Sequence, residues 1–267
     1  MHVNENIRTE VLNRLHELEL KYDIKVIHAI ESGSRAWGFS SADSDYDVRF
    51  IYMHKPEWYW SIQDEFVDVE SRGAINVPIY DDLDIAGWDL KKTLGLLYKS
   101  NPPLLEWLRS PIVYRSDQEI SQELRQLSEN FYSAKSCVYH YLHMAEGNLR
   151  QYLLNRDEVK RKKYLYVIRP ILACRWIEQF GGFPPMEIEK ILITLEGYPI
   201  LNTINSLIAD KKRGTELGTG SADKVLEAFL VEEIGRLKKS VAILPENNQS
   251  IIDLNEYFRR TLKKNFM

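Results

Sequence analysis

One stretch constrains this chain more than any other. Gly33-Ser34 closes one apolar run, and Asp45-Tyr46-Asp47 opens a second after a short loop. Side chains alternate along a strand, so Asp45 and Asp47 share a face. Two adjacent carboxylates repel each other and stay ionised together only with a cation between them. Hard oxygen ligands select Mg²⁺ or Mn²⁺, and Mg²⁺ takes the rest of its shell from water and substrate phosphates. Upstream, Gly33 removes a Cβ where a backbone must come close to something, and Ser34 adds a hydroxyl and an N–H. That combination suits a triphosphate. The plainer alternatives are a solvated turn at Ser44-Asp45-Tyr46-Asp47 and an ordinary strand-to-helix turn at Gly33-Ser34.

The surrounding periodicity predicts where these motifs sit. Ile7, Val11, Leu12, Leu15 and Leu18 recur at helical spacing, so residues 4–20 read as an amphipathic helix. Strands are predicted over 25–32 and 45–52, joined by 66–69, 75–79, 83–85 and 112–114. Pro78 argues for an edge or bulge position. Asp89 is a good N-cap for a helix over 90–99, and Pro102-Pro103 starts another. From Ser116 onward the pattern is almost wholly helical. A capping-box pattern at 116–119 leads into helices over 119–129, 134–154, 159–180, 186–195, 200–211, 222–237 and 254–264. Loops separate them at 181–185 and 213–220. The shift near Arg115 predicts an α+β chain: a mixed-sheet domain over 1–115, then an all-helical domain over 116–267.

A third carboxylate is needed to hold a second metal and to take an acceptor proton. It should come from a strand beside the first, since neighbouring strands lie about 5 Å apart. Asp84 fits, because it sits between Leu83 and Ile85 and faces away from them. Asp82 shares its face but lies nearer a turn, and Asp89 reads as the helix cap. Arg49 shares the face of Asp45 and Asp47, where it contacts phosphate or neutralises the carboxylates. Arg35 adjoins the phosphate loop; its plain alternative is a surface charge.

Composition bounds the partners. With 44% hydrophobic residues the chain can bury a sizeable core, and a net charge of −4 gives no global attraction to nucleic acid. Any RNA contact must use a local basic patch. The candidates are 160–163, with Lys162, Tyr166 and Arg169 on one helical stripe, and Lys211-Lys212-Arg213. Their plain alternatives are a solvated helix start and cations complementing a helix C-terminus. The 2 cysteines are far apart and form no Cys-x-x-Cys, which argues against a zinc site or disulfide framework. His140 and His143 stand one turn apart with no third ligand type nearby. The absence of an N-terminal signal pattern, or of an apolar run of membrane-spanning length, predicts a reduced, cytoplasmic protein with no membrane partner.

Gly33-Ser34, Gly38 and Ser44-Asp45-Tyr46-Asp47 resemble the signature of the DNA polymerase β-type nucleotidyltransferases. The wider wording at 31–38, 45–52, 84–92 and 100–108 resembles the bacterial and phage predicted nucleotidyltransferase group, which includes polymerase-β-like proteins linked to RNA repair. The likeness covers the first 115 residues well and continues less distinctly from Lys163-Tyr164 to Trp176. It implies a metal-dependent enzyme that moves an NMP from an NTP, with ATP expected, to a hydroxyl acceptor and releases pyrophosphate. Asp45, Asp47 and Asp84 would be catalytic and hold Mg²⁺ or Mn²⁺. Gly33, Ser34, Arg35, Arg49, Lys163 and Arg169 would bind the nucleotide. The link to RNA repair points to an RNA or tRNA end as acceptor. Two other readings stand beside it: AMP transfer to a protein or small hydroxylated molecule, and a non-catalytic antitoxin-like or nucleotide-sensing module. The three intact carboxylates argue against the second of these.

Overall fold

The computed structural model describes residues 3–61, 73–80, 82–214, 218–244 and 249–266. The chain forms two compact units. Residues 1–36, 45–132 and 248–267 make the first, and residues 37–44 and 133–247 the second.

The first unit is built on a sheet. Helix α1 (Glu5–Tyr22), capped by the Asn4 side chain on the Asn6 amide, precedes strand β1 (Ile24–Glu31). A single helical turn, α2 (Gly33–Ala36), comes next, then β2 (Tyr46–His54) and α3 (Pro56–Tyr59). Next come β3 (Ala74–Asn76), β4 (Leu83–Asp89), α4 (Leu90–Tyr98), α5 (Pro102–Trp107), β5 (Val113–Ser116) and α6 (Gln118–Asn130). The strands form one five-stranded mixed sheet in the order β3-β4-β2-β1-β5. The β2–β4 pair is parallel and the other pairs are antiparallel.

Both sheet faces are covered, and the alternation along β2 shows how. Val48, Phe50 and Tyr52 bury against the α1 side with Val11, Leu15 and Leu18. Ile51 and Met53 point the other way, into a layer with Leu90, Leu94, Leu104, Trp107 and Leu124. A bulge between Val26 and His28 shifts the β1–β2 register.

Several elements differ in extent from the sequence expectation. The strand expected over 75–79 stops at Asn76, because Pro78 has no amide to continue an edge ladder. The one expected over 83–85 runs on to Asp89, held by seven residues of parallel pairing with β2. Asp89 still caps α4, accepting from the Lys91 amide. The strand expected over 66–69 lies outside the described residues.

The second unit is helical, with one small ribbon. It contains α7 (Ala134–Tyr152), β6 (Glu158–Lys160), α8 (Lys162–Phe180) and α9 (Ile188–Ile191), which runs into a 3₁₀ turn over Leu192–Leu195. It continues with α10 (Ile200–Lys212), β7 (Thr219–Ser221) and α11 (Lys224–Ser240). The ribbon corrects two expectations. Val159 is not the start of a helix, and the 213–220 loop ends in a strand, because Val159 pairs with Gly220 across β6 and β7. A buried β-branched residue suits that pleat better than a helix end.

The last helix, α12 (Ile252–Phe266), returns to the first unit. Leu254, Tyr257 and Leu262 complete the layer over α4, α5 and α6. The division between units therefore follows α6, beyond the composition shift at Arg115.

Candidate active site

Strand β2 carries Asp47 and Arg49 on the face that also holds Ile51 and Met53. Parallel pairing with β4 sets Asp84 directly beside Asp47. The Arg49 guanidinium closes the group. Its Nη2 donates to Asp84 Oδ2 at 2.7 Å and to Asp47 Oδ1 at 3.3 Å. Its Nη1 donates to the carbonyls of Asp84 and Val48. All three side chains are partly buried. Burial pushes the Asp47 carboxyl above its ordinary range; Arg49 opposes this, while Asp84 and Asp45 add to it by repulsion. Asp45 is exposed just before β2, and its carbonyl accepts from Arg35 Nε. Arg35 also stacks over the Tyr46 ring at 3.7 Å, so it is a fixed part of this edge. Asp82 is exposed, and its carbonyl accepts from the Tyr46 amide.

The close approach that Gly33 permits is that of Asp47. Gly33 has φ +59, and a Cβ built there would lie 1.9 Å from Asp47 Oδ2. The carboxylate occupies the space a side chain would fill. Ser34, next along, is buried on α2.

Glu31 belongs to this site, and sequence reasoning passed over it. It is fully buried at the end of β1. Its Oε1 accepts from the Asp47 amide at 2.9 Å and its Oε2 from the Tyr114 hydroxyl at 2.5 Å. Burial pushes its carboxyl up to about 7, against the pull of both donors. Burial and the neighbouring Glu31 hold the Tyr114 phenol well above its ordinary range, so it stays a donor.

The linkage has a definite sign. Between 4.5 and about 7 the folded state holds a proton on Glu31 that the unfolded state has lost, so stability falls as pH rises through that window. Glu31→Gln removes the titration. Its unfolding free energy relative to wild type should rise by about 3 kcal/mol between pH 4.5 and pH 8, measured by urea unfolding. A difference independent of pH would refute the burial argument. His28 and His54, held neutral by burial, and Asp89, pushed up to about 6, also titrate, but they cancel in the wild-type-minus-mutant difference.

The second unit holds the other predicted residues. Trp37–Ser44, the loop between Gly33-Ser34 and Asp45, is fastened there. The Trp37 carbonyl accepts from the Ile188 amide, and the Ser41 hydroxyl accepts from Lys211 Nζ at 2.6 Å. Arg169 is buried, its guanidinium 4.6 Å from the Trp37 ring centroid and donating to the Met186 carbonyl. Lys163 is partly exposed, its ammonium over the Tyr152 and Tyr166 rings. The stripe expected of Lys162, Tyr166 and Arg169 is therefore divided: Tyr166 is exposed and Arg169 is inside. The Lys211-Lys212-Arg213 cluster is locally compensated. Lys211 is buried, Lys212 pairs with Glu189, and Arg213 pairs with Asp210.

Asp47 and Asp84 supply oxygen donors that suit a hard divalent cation. Among the described residues, no three His, Cys, Asp or Glu side chains gather as a metal-binding group. The Arg49 guanidinium gives Asp47 and Asp84 the counter-charge an ion would bring. A cavity of about 1230 Å³ in the first unit, lined by α3, α4 and α12 residues such as Tyr59, Leu94 and Phe258, contains none of these carboxylates. Among the described residues no helix is long and apolar enough to cross a membrane.

Comparison with known proteins places these residues in a wider setting. Residues 7–260 match the model of the RNA repair pathway DNA polymerase beta family. The chain is 44% identical over 260 residues to the uncharacterized protein YcgL of Bacillus subtilis (strain 168), covering 97% of each chain. Among solved structures, a nucleotidyltransferase-like protein from Exiguobacterium sibiricum 255-15 aligns over 91% of this chain and 76% of its own. Its identity is 8% and its TM-score 0.27, too low to bear on the fold.

Proposed function

Because the chain belongs to the RNA repair pathway DNA polymerase beta family, it is a nucleotidyltransferase, and we propose that it moves an NMP from an NTP, with ATP as donor, to a hydroxyl at an RNA or tRNA end. Divalent metal and NTP use is general to such enzymes. The observation that carries the reading is the pairing of Asp47 with Asp84 across β2 and β4, with Arg49 between them.

In this reading Asp45, Asp47 and Asp84 hold Mg²⁺ or Mn²⁺, which supplies charge neutralisation at the reacting phosphate and orientation of the attacking hydroxyl. Arg49 keeps the carboxylates ionised and aligned. Arg35, fixed over Tyr46, stands by the same edge as a phosphate contact. Ser34 binds a non-reacting phosphate through its hydroxyl. On the helical unit, Lys163 lies over Tyr152 and Tyr166 as a candidate nucleotide contact, and Arg169 holds Trp37. Contact with the RNA backbone falls to the exposed Lys160 more than to the compensated cluster at 211–213, since Arg161 also pairs with Asp210. Sheet unit and helical unit thus act as catalytic domain and RNA-facing domain.

Incubation with each α-labelled NTP, Mg²⁺, and either total RNA or an RNA-depleted lysate tests the acceptor directly. Label on RNA, from ATP above the other three NTPs, is the expected result. Label on protein or on a small molecule with none on RNA would replace the acceptor and leave the transfer chemistry standing. Ser34→Ala should weaken NTP binding by about tenfold while kcat stays within about threefold, as expected for loss of uniform binding. Equal loss in kcat and in kcat/KM would move Ser34 to the reacting phosphate.

A further inference from the structure

Three consecutive residues at the end of β1 act on one residue of β2. The Glu31 carboxylate accepts from the Asp47 amide. The Ser32 amide donates to the Asp47 carbonyl at 2.8 Å. Gly33 leaves the gap that the Asp47 carboxylate fills. The β1–β2 register pairs Glu31 with Val48, so the Asp47 amide is satisfied by a side chain and not by the ladder.

Glu31 is itself pinned from the other side. Tyr114 on β5 donates to Oε2, the Glu31 amide donates to the Ile112 carbonyl, and the Ser110 hydroxyl donates to the Glu31 carbonyl at 2.6 Å. Both oxygens of the buried carboxylate are thus committed, one to a neighbouring strand and one to Asp47.

We propose that Glu31 is a positioning residue for nucleotidyl transfer, which fixes the backbone of Asp47 so that its carboxylate stands beside Asp84. This rests on the reading of Asp47 as a catalytic carboxylate. A carboxyl in an apolar layer beside Val48 and Tyr114 is a costly way to join strands. An apolar side chain of similar volume would spare the carboxyl its burial but leave the Asp47 amide and the Tyr114 hydroxyl unpartnered. What it cannot do is accept a hydrogen bond from the Asp47 amide. Catalytic groups displaced by about 1 Å lose on the order of 10²-fold in rate, so the anchor matters most where position is tightest.

Glu31→Gln keeps an acceptor oxygen for the Asp47 amide, and Glu31→Leu removes it. Both are made in the full chain with Asp47→Asn as control, and each is read by kcat, KM for NTP, thermal midpoint and hydrogen exchange of the Asp47 amide. The expected result, read well below the thermal midpoint of each variant, is that Glu31→Leu loses about 10²-fold in kcat, with KM within about threefold and faster Asp47 exchange. Glu31→Gln should keep kcat within about fivefold and keep the amide protected. The proposal is overturned if Glu31→Leu keeps wild-type kcat, if both variants lose equally, or if the loss follows the thermal midpoint. If Glu31→Leu does not fold, Tyr114→Phe decides. It loosens the carboxylate, so kcat should fall by about fivefold at unchanged KM with faster Asp47 exchange, and no change in either overturns the proposal. An active Asp47→Asn sinks the catalytic reading and this proposal with it. An inactive Asp47→Asn beside an active Glu31→Leu sinks only the positioning role.

Discussion

Asp47→Asn should lower kcat by on the order of 10³-fold or more while leaving the fold intact. The two halves of that result have separate causes. The carboxylate is one of the pair set side by side by the parallel register of β2 and β4. In the proposed reading an amide would hold a hard divalent cation less well than a carboxylate does, and the ion would supply charge neutralisation at the reacting phosphate. Stability responds the other way. Burial and the repulsion of Asp84 and Asp45 hold the Asp47 carboxyl above its ordinary range. A group shifted in that direction costs stability once it ionises, so the neutral amide should match or raise the thermal midpoint at pH 8. Arg49 keeps its closer partner, Asp84 at 2.7 Å.

The same logic extends unequally to the other two carboxylates. Asp84→Asn should be equally inactive but less stable than Asp47→Asn, because it leaves a partly buried guanidinium with one carboxylate, at 3.3 Å, beside its two backbone carbonyls. Asp45 is exposed, so Asp45→Asn should lose transfer with no measurable change in midpoint. Near-normal turnover in any of the three, measured with saturating NTP and metal, would remove that residue from the catalytic set.

The local parts of this arrangement were legible in the sequence. Alternation along 45–52 placed Asp47 and Arg49 on one face, as they stand on β2, whereas Asp45 lies just before that strand and Pro78 just past the end of β3. Interactions between distant residues were not. Glu31 ends an apolar run and looks like a strand residue; what it does depends on Tyr114, 83 residues away. Arg169 was placed on a stripe with Lys162 and Tyr166 by their spacing in α8. That helix is buried on most sides, by Leu165, Val167, Ile168, Ile171 and Leu172 among others, so its pattern has no polar face by which to orient a cation. The composition shift at Arg115 marks where the chain becomes almost wholly helical. It does not mark which layer the helices cover, and α6 and α12 both cover the sheet. The loop over 37–44 is continuous with the motif in sequence, yet its anchors, Ile188 and Lys211, come from far along the chain.

Gly33→Ala offers the sharpest test of what the Gly-Ser motif does. A methyl group at that position would sit 1.9 Å from Asp47 Oδ2, inside any tolerable contact, on a backbone whose φ of +59 already disfavours a side chain. Something must move, and the least restrained partner is the carboxylate, because the Asp47 backbone is held by Glu31 and Ser32. Displacement of a catalytic group by about 1 Å should cut kcat by on the order of 10²-fold. KM for NTP should change little, since in this structure the missing Cβ makes room for Asp47. A glycine kept for close approach of the triphosphate predicts the opposite split, with NTP affinity lost first. The double mutant separates the two further. If Gly33 acts through Asp47, then Gly33→Ala adds nothing once Asp47→Asn is in place, and the double variant should be as inactive as Asp47→Asn alone. Additive losses would mean that Gly33 touches the substrate by a route of its own.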